Sequence, residues 1–498
     1  MHLQCVLHTA CIKGVRATPV DVEVAVSSGL PGMTIVGMPD AAVRESQERV
    51  RAAIRACGYA MPASKVVVNL APSSLRKAGS GFDLPIAAAI LAATGQVDAR
   101  RLEAFLLVGE LSLEGRVRPV RGTLSYAVCA AESGLDLAVS SDARDCAPLT
   151  GTVQYGVRSL CDLRSCEFAR LAFPPAGQSV SALDFGSIYG NESAKRALQI
   201  AAAGSHGILF MGPPGSGKSM LASALPSILP ELDERQRMEA ATIHSVAGES
   251  VDGVLAGIRP FRSVHHSSSM AGLIGGGNPV RPGEASLAHQ GVLFLDELPE
   301  FSPAVLQALR QPMEQGRVSI TRADGSVELP CRFMLVAAAN PCPCGFFGDP
   351  DKACRCTETQ VSRYQGRIGG PLLDRIDMHV DVWRCDPSVL LGRGDERAAT
   401  SDDLRVGVLT AREFARWRCE RKGDAPFSAD GEALLRCCRM ADTELRLVEQ
   451  AARVQGLSGR GIMRVLGVAR TIADMDRSER VREEDLLEAV GFRMRRGV

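Results

Sequence analysis

The segment that most constrains the fold of this chain is a glycine-rich run ending in lysine and serine, Gly212-Pro213-Pro214-Gly215-Ser216-Gly217-Lys218-Ser219. It follows an apolar run and precedes a helical stretch, which is the context that a phosphate-binding loop requires. Glycines let backbone N–H groups approach phosphate oxygens, and the helix N-terminus adds partial positive charge. We expect Lys218 to reach the β- and γ-phosphates of ATP and Ser219 to bind Mg²⁺. The alternative is a glycine-rich turn without a ligand.

The hydrophobic pattern divides the 498 residues into three blocks, and a linker separates the first block from the second. Pro, Gly and Ser with little charge mark the linker at 173–183. It separates a mixed strand-and-helix block, 1–172, from the block with the phosphate loop, 184–395. In that second block, apolar runs at 207–211, 292–295 and 333–337 alternate with helical stretches. This pattern predicts three strands of a parallel sheet, connected by crossover helices. Residues 396–498 have helical periodicity throughout and predict a small helical domain.

Polar side chains follow two of these apolar runs, and ligands bind at the carboxyl ends of parallel strands. Asp296 and Glu297 come directly after 292–295, and Asn340 follows the third run. We expect Asp296 to help hold Mg²⁺ through water and Glu297 to polarise the attacking water. Asn340 is a candidate nucleotide contact, and its alternative is a cap for the turn before Pro341.

Two arginines are further candidates for the nucleotide site. Arg375 lies between Asp374 and Asp377, and in a ring ATPase such an arginine can reach the γ-phosphate of the neighbouring subunit. Its alternative is a structural ion pair. Arg460 follows Ser458 at a helix start and is a candidate for a contact with the nucleotide in cis. Its alternative is an ordinary exposed arginine.

Composition excludes several classes of protein. Lys+Arg and Asp+Glu each total 57, so a global basic field for nucleic acid is absent, while a local basic channel is allowed. The first residues lack a cationic start followed by a long apolar core, so we expect no signal peptide. The longest apolar stretch, near 84–93, is shorter than the ~20 residues of a membrane helix. We therefore expect a cytoplasmic protein without membrane contact.

The phosphate loop, the acidic strand end, Asn340, Arg375 and Arg460 resemble the Walker, sensor and finger positions of AAA+ ATPases. The segment from Arg259-Pro260-Phe261-Arg262 through His266 to His289 resembles the signature of the magnesium-chelatase-like branch. With stretches at 29–32, 36–46, 69–72 and 79–85, nearly the whole chain is similar to the ComM/YifB family of that branch. The resemblance implies an AAA+ core with a helical lid that binds ATP and Mg²⁺. It also implies a hexameric motor that migrates DNA branches during natural transformation.

The first block is similar to the Lon protease domain, an α+β fold. Its pattern predicts strands at 21–26 and 65–70 and helices at 40–57 and 84–93. A Lon-type protease needs a serine nucleophile and a lysine base. The matching segment is Gly81-Phe82-Asp83-Leu84, and no lysine occurs between 78 and 194. We therefore expect a non-proteolytic scaffold or a DNA-contacting ring.

Two loops are candidates for gripping DNA. Polar and apolar residues alternate along 315–329 on both sides of Asp324-Gly325, a dipeptide that favours a type I′ hairpin. The hairpin precedes the Asn340 strand, where this AAA+ branch carries a pore hairpin. Arg317 and Arg322 are therefore candidate contacts to DNA phosphates, and the alternative is a solvated hairpin. The glycine-rich loop 272–277, with Arg281 nearby, is the second candidate, or else a flexible insert.

Four cysteines lie close together in the sequence, Cys342, Cys344, Cys354 and Cys356. Four thiolates can complete a tetrahedral Zn²⁺ site. The spacing departs from the common Cys-x-x-Cys pattern, and free thiols are the alternative.

The resulting interpretation is an ATP-hydrolysing ring that acts on single-stranded and branched DNA in homologous recombination. One rival is the ATPase subunit of a magnesium chelatase, and the Lon-like block is expected to argue against it. The second rival is a protein-remodelling ring. The missing Ser–Lys pair opposes proteolysis but not remodelling.

Overall fold

The computed structural model describes residues 3–173, 183–322, 325–385, 399–424 and 431–493. The predicted linker at 173–183 lies almost entirely outside these residues, and so does the predicted boundary between 395 and 396. Asp324, at the predicted hairpin turn, also lies outside them. In the described part of the chain, no helix is long and apolar enough to cross a membrane.

The first block is built on an eight-stranded mixed sheet. Its centre is an antiparallel hairpin in which Leu7 pairs with Val22. Alternation along the second strand of the hairpin buries Val20, Val22, Val24 and Val26 on one face. Across the sheet the strands follow the order Ala169–Arg170, Gln154–Val157, Asp136–Ser140, Phe105–Leu107, Leu3–Lys13, Arg16–Ser27, Lys65–Ala71 and Gly32–Val36. A separate pair consists of Glu110–Leu111 and Val117–Arg118.

The two helices that the sequence pattern predicts in this block are confirmed, and two further helices were not predicted. Asp40 caps the first, because its carboxylate accepts a hydrogen bond from the Val43 N–H over 2.8 Å. The second is apolar on nearly every side and is buried against the central hairpin. The helices span Ala41–Ala56, Asp83–Ala93, Ala99–Leu102 and Thr123–Glu132.

The second block contains a five-stranded sheet in which every pairing is parallel. Alternate residues of its strands enter two different hydrophobic clusters: Val292 and Phe294 face one, and Leu293 and Leu295 the other. The strands follow the order Phe261–Val264, Val292–Leu295, Met334–Ala339, Ile208–Met211 and Met378–Asp381. The three predicted strands are confirmed, and the sequence analysis missed the two short edge strands.

Ten helices accompany this sheet in the described part of the second block, and the last block is formed by further helices. Those of the second block are Glu192–Gly204, Lys218–Ala224, Glu234–Ala247, Asp252–Leu255, Met270–Ile274, Glu284–Leu287, Pro303–Ala308, Arg310–Gln315, Glu358–Gly366 and Gly370–Leu373. The predicted helical block contains Ser401–Lys422, Gly431–Cys438, Asp442–Gln455, Gly459–Met475 and Glu483–Gly491. Within it the buried Arg418 donates to both Asp474 carboxylate oxygens, over 2.8 and 2.7 Å.

The predicted hairpin consists of the antiparallel strands Arg317–Arg322 and Gly325–Pro330. The hairpin packs against the first block: a Cβ built on Gly14 would lie 2.6 Å from Val327 Cγ1. A second contact between the blocks joins the helices Thr123–Glu132 and Glu234–Ala247, where the Leu124 N–H donates to Ser245 Oγ over 3.3 Å. The first block and the phosphate-loop block therefore pack directly on each other.

Candidate active site

The phosphate loop begins at the end of the central strand Ile208–Met211 and leads into the helix Lys218–Ala224. Gly215 and Gly217 have φ of +76° and +91°, a region that side chains with a Cβ rarely adopt. A Cβ on Gly212 would lie 2.0 Å from the Val382 carbonyl oxygen of the neighbouring strand segment. The glycines of the motif are thus needed for its backbone path as well as for ligand approach.

Lys218 lies at the centre of this loop and is almost fully buried. Its ammonium group donates to the carbonyl oxygens of Gly212 and Pro213, each over 2.8 Å. Burial lowers the pKa of Lys218 to about 8, against the opposing effect of the Asp296 carboxylate. The loop therefore holds a cation where phosphate oxygens would lie.

Ser219 and Asp296 meet across the sheet. The Ser219 hydroxyl donates to Asp296 Oδ2 over 2.7 Å, and Asp296 Oδ1 accepts from the Glu297 N–H over 2.9 Å. A hydroxyl and a carboxylate are oxygen donors of the kind that Mg²⁺ prefers. The residues present therefore fit a magnesium ion bound together with a nucleotide.

Glu297 has a strained backbone and an accessible side chain. Its φ is +52°, unusual for a residue with a Cβ. The side chain is 55% exposed, and its Oε2 lies 3.2 Å from His266 Nδ1. The sequence analysis did not assign this histidine to the site, although it belongs to the segment that carries the family resemblance. The carboxylate is positioned to accept a proton from, or orient, a water molecule.

Asn340 completes the cluster. Its Oδ1 lies 3.3 Å from Lys218 Nζ, at the end of the strand Met334–Ala339, which pairs with both the phosphate-loop strand and the Asp296 strand. The structure thus brings Lys218, Ser219, Asp296, Glu297 and Asn340 to one edge of the sheet.

Arg375 and Arg460 lie at the opposite end of the strands, where the phosphate-loop strand begins. Two residues after Arg375, the Asp377 carboxylate accepts from the Gly207 N–H over 2.7 Å, at the start of the phosphate-loop strand. A strand of four residues spans about 13 Å, which separates this end from the phosphate loop. Arg460 lies one helical turn before Arg464, which is 3.1 Å from Asp377.

Both arginines bind the same carboxylate. Arg375 Nη2 lies 2.6 Å and Arg460 Nη2 3.3 Å from Glu314 Oε1. The contact of Arg460 with the nucleotide in cis is therefore not what the fold favours, because the residue lies with Arg375 across the sheet from its own phosphate loop. Sequence spacing could not reveal this, since it does not show which end of the sheet the helix Gly459–Met475 approaches.

Two polar residues that the sequence analysis missed hold the phosphate loop from behind. Asn191 Nδ2 donates to the Ser216 carbonyl over 3.3 Å and to the Trp383 carbonyl over 3.0 Å. Arg384 Nε donates to the Pro214 carbonyl over 3.4 Å. They follow no motif. The parallel pairing of Ile208–Met211 with Met378–Asp381 places Arg384 beside the loop, and Asn191 reaches it from the start of the helix Glu192–Gly204.

The four predicted cysteines form one cluster beside Asn340. Cys342 Sγ lies 3.3 Å from Cys344 Sγ and 3.6 Å from Cys354 Sγ, and the last two sulfurs are 3.5 Å apart. With the Sγ atom of Cys356 as the fourth, all four sulfurs lie within 4.8 Å of one another. The geometry supplies the four soft donors that the sequence predicted.

The hairpin and the first block enclose a cavity of about 480 Å³. Its charged lining consists of five cations and two carboxylates: Lys13, Arg76, Arg121, Arg281 and Arg322, with Asp40 and Glu110. Arg322 has no carboxylate partner among the residues that the structure describes. Arg317, in contrast, lies 3.3 Å from Glu328 of the facing strand. The cations of the first block come from segments far apart in sequence, which is why no motif predicted them.

In the part of the first block that resembles the Lon protease domain, the buried charged side chains make structural contacts. Asp83 is buried, and both of its carboxylate oxygens accept from Arg49, over 2.6 and 3.0 Å. Lys77 is also buried, and its ammonium donates to the Pro72 carbonyl. The described residues place no serine–lysine pair in this segment.

Three family models match this chain, each within a different one of the three blocks. Family models described as "Magnesium chelatase, subunit ChlI", "Subunit ChlI of Mg-chelatase" and "Magnesium chelatase, subunit ChlI C-terminal" match residues 184–390, 22–143 and 398–493, respectively. The match over 22–143 means that the first block does not by itself separate the chain from magnesium chelatases. The 38 kDa chelatase subunit of Rhodobacter capsulatus matches only 61% of this chain, so the expectation that the first block argues against that rival stays a prediction.

Similarity to individual proteins extends over nearly the full length. The chain is 40% identical to the competence protein ComM of Haemophilus influenzae over 98% of this chain and 97% of that protein. It is 40% identical to the uncharacterized protein YifB of Escherichia coli, over 98% and 96%. The 38 kDa magnesium-chelatase subunit of Rhodobacter capsulatus is 24% identical over 61% of this chain and 89% of that protein.

Proposed function

This chain belongs to the ComM/YifB family of magnesium-chelatase-like AAA+ ATPases, and from that premise we propose that it is an ATP-driven DNA motor. The reaction is hydrolysis of ATP, and its work is the migration of branch points as incoming DNA is integrated by homologous recombination. The name of the Haemophilus relative, a competence protein, supports this assignment. We propose a cytoplasmic location, because the proposed substrate is DNA.

The observation that carries the ATPase assignment is the single cluster formed by Lys218, Ser219, Asp296, Glu297 and Asn340. Lys218 would bind phosphate oxygens, and Ser219 and Asp296 would hold Mg²⁺, which would neutralise charge on the phosphates. Glu297 orients the attacking water and accepts its proton, with His266 fixing the carboxylate. Asn340 holds Lys218 in position.

The placement of Arg375 and Arg460 supports a ring, a hexamer as the family resemblance implies. Because both lie across the sheet from their own phosphate loop, we assign both to the nucleotide of the neighbouring subunit. Glu314 holds the two guanidinium groups side by side until the neighbour's phosphates compete for them. An arginine supplied in trans in this way makes hydrolysis dependent on assembly.

DNA contacts are assigned to the hairpin 317–330 and the cavity that it forms with the first block. Arg322 and Arg281 lie there with three cations of the first block. Cations that neutralise phosphates provide affinity without sequence preference, as a motor on arbitrary DNA requires. Arg317 is a weaker candidate because it pairs with Glu328. We further propose that the first block, 1–172, is a non-proteolytic DNA-facing ring, and that the cysteine cluster binds zinc.

The alternatives are a chelatase ATPase and a protein-remodelling ring. The similarity to the 38 kDa chelatase subunit keeps the first in view, but its identity is much lower and covers less of the chain. The experiment that separates the three measures ATP hydrolysis alone, with branched or single-stranded DNA, and with unfolded protein. Stimulation by DNA, but not by unfolded protein, is expected. Stimulation by unfolded protein alone would assign the chain to protein remodelling.

A further inference from the structure

The four-cysteine loop, residues 342–356, packs against the phosphate loop directly after Asn340. We infer that a zinc ion in this cluster makes the loop a strut for the phosphate loop, so that loss of zinc weakens nucleotide binding. The inference rests on the nucleotide site proposed above and adds to it a structural metal that controls its affinity.

The cluster has the dimensions of a zinc site. A tetrahedral zinc with Zn–S distances of about 2.3 Å holds its sulfurs about 3.8 Å apart. The Sγ–Sγ distances among Cys342, Cys344 and Cys354 are 3.3, 3.5 and 3.6 Å. Thiolate donors alone, without carboxylate or water oxygens, select zinc over Mg²⁺ or Ca²⁺. The turn between the first two cysteines is fixed by the Gly345 N–H, which donates to the Cys342 carbonyl over 2.9 Å.

Gly345 makes the first contact of the strut with the phosphate loop. Its φ is +83°, and a Cβ built there would lie 2.5 Å from Pro214 Cδ. The backbone of the cysteine loop therefore lies directly on a residue of the phosphate loop, and no larger side chain fits between them. Movement of Gly345 would leave Pro214 without this support.

Arg384 makes the second contact. Its Nε donates to the Pro214 carbonyl over 3.4 Å, its guanidinium lies 5.1 Å above the Phe346 ring, and its Nη2 is 3.6 Å from Asp349 Oδ2. The other Asp349 oxygen accepts from the backbone N–H groups of Asp351 and Lys352, over 2.8 and 3.0 Å. Two residues of the cysteine loop thus position the arginine that holds the phosphate loop.

An ion is needed to keep this loop closed. The segment has few apolar side chains to bury, so closing it costs conformational entropy that its own packing offsets poorly. Metal binding supplies that free energy and couples it to folding of the loop. Without the ion, both supports of Pro214 are released together, and the phosphate loop loses preorganisation for the nucleotide.

The test compares the Cys354→Ser/Cys356→Ser double variant with wild type and with Cys161→Ser, which alters an exposed cysteine of the first block. Zinc is counted by mass spectrometry, and affinity is measured with a fluorescent ADP analogue. We expect about one zinc per chain in wild type and Cys161→Ser, none in the double variant, and an ADP affinity about tenfold lower there. Wild type stripped of zinc should lose the same affinity and regain it on addition of zinc, which excludes misfolding as the cause.

Arg384→Ala separates the strut from the metal. It should keep its zinc and still bind the ADP analogue more weakly than wild type. Absence of zinc from wild type after purification and zinc addition would overturn the inference, and so would equal ADP affinity with and without zinc. Failure of wild type to bind ADP at all would instead overturn the proposed ATPase function.

Discussion

Ser219 and Asp296, which come from different strand ends 77 residues apart, share a hydrogen bond of 2.7 Å between the serine hydroxyl and the carboxylate. The bond exists because the strands before them, Ile208–Met211 and Val292–Leu295, both pair with Met334–Ala339. The parallel sheet therefore aligns their carboxyl ends at one edge. Two motifs that are separate in sequence become one oxygen-rich site beside a buried ammonium group.

Replacing Lys218 by Ala should strongly weaken nucleotide binding, because no other cation of the described site lies within the phosphate loop. We expect the affinity for a fluorescent ATP analogue to fall by about a hundredfold or more, since a charge-assisted contact to phosphate is lost. Lys65→Ala, at an exposed lysine of the first block, is the matched control. Wild-type affinity in Lys218→Ala would contradict the assignment of the loop.

Nucleotide affinity should depend on pH through Lys218. Burial lowers its pKa to about 8, so the side chain is charged below that pH and becomes neutral above it. Because the charged form binds phosphate, affinity should fall as the pH rises from about 7 to about 9.5. Titrations of the ATP analogue across this range measure the effect. Constant affinity would show that the lysine stays protonated in the nucleotide-free protein.

Arg375→Ala and Arg460→Ala should each keep nucleotide binding and lose hydrolysis by about a hundredfold or more, since an arginine supplied in trans stabilises the transition state. Mixing Arg375→Ala with Glu297→Gln subunits tests the trans arrangement. Some mixed interfaces would combine an intact Glu297 with an intact Arg375, so partial recovery of hydrolysis is expected. No recovery in mixed rings would favour action in cis.

Arg322→Ala should weaken binding to single-stranded DNA and reduce the slope of log affinity against log salt by about one, as expected for one phosphate contact. Arg317→Ala should have the smaller effect because Arg317 pairs with Glu328. Measuring both affinities at several salt concentrations distinguishes them. An equal salt slope in wild type and Arg322→Ala would place the DNA elsewhere.

Local patterns predicted much of this fold. The alternation of Val22, Val24 and Val26 and the apolar runs of the second block each determine a strand whatever surrounds them. The phosphate loop and the acidic strand end were predictable for the same reason, since each is a contiguous motif. The four cysteines were predictable as a group because the loop that joins them is short.

The rest depends on contacts between distant segments. Arg384 supports the phosphate loop because the short edge strand Met378–Asp381 pairs beside it, and Asn191 does so from the start of the helix Glu192–Gly204. Arg460 shares Glu314 with Arg375 because the helix Gly459–Met475 approaches the amino edge of the sheet. Lys13 lies near the hairpin tip because the two blocks pack together: a Cβ on Gly325 would lie 2.9 Å from its Nζ. No local pattern records such arrangements.

The central claim is that hydrolysis at this site moves DNA. The most direct test is branch migration on a synthetic three- or four-stranded junction, comparing wild type with Glu297→Gln, which should bind ATP but not hydrolyse it. We predict that wild type resolves the junction with ATP, that Glu297→Gln does not, and that the neighbouring substitution Glu300→Gln behaves as wild type. ATP hydrolysis by wild type without movement of any junction, at any salt concentration, would contradict the account.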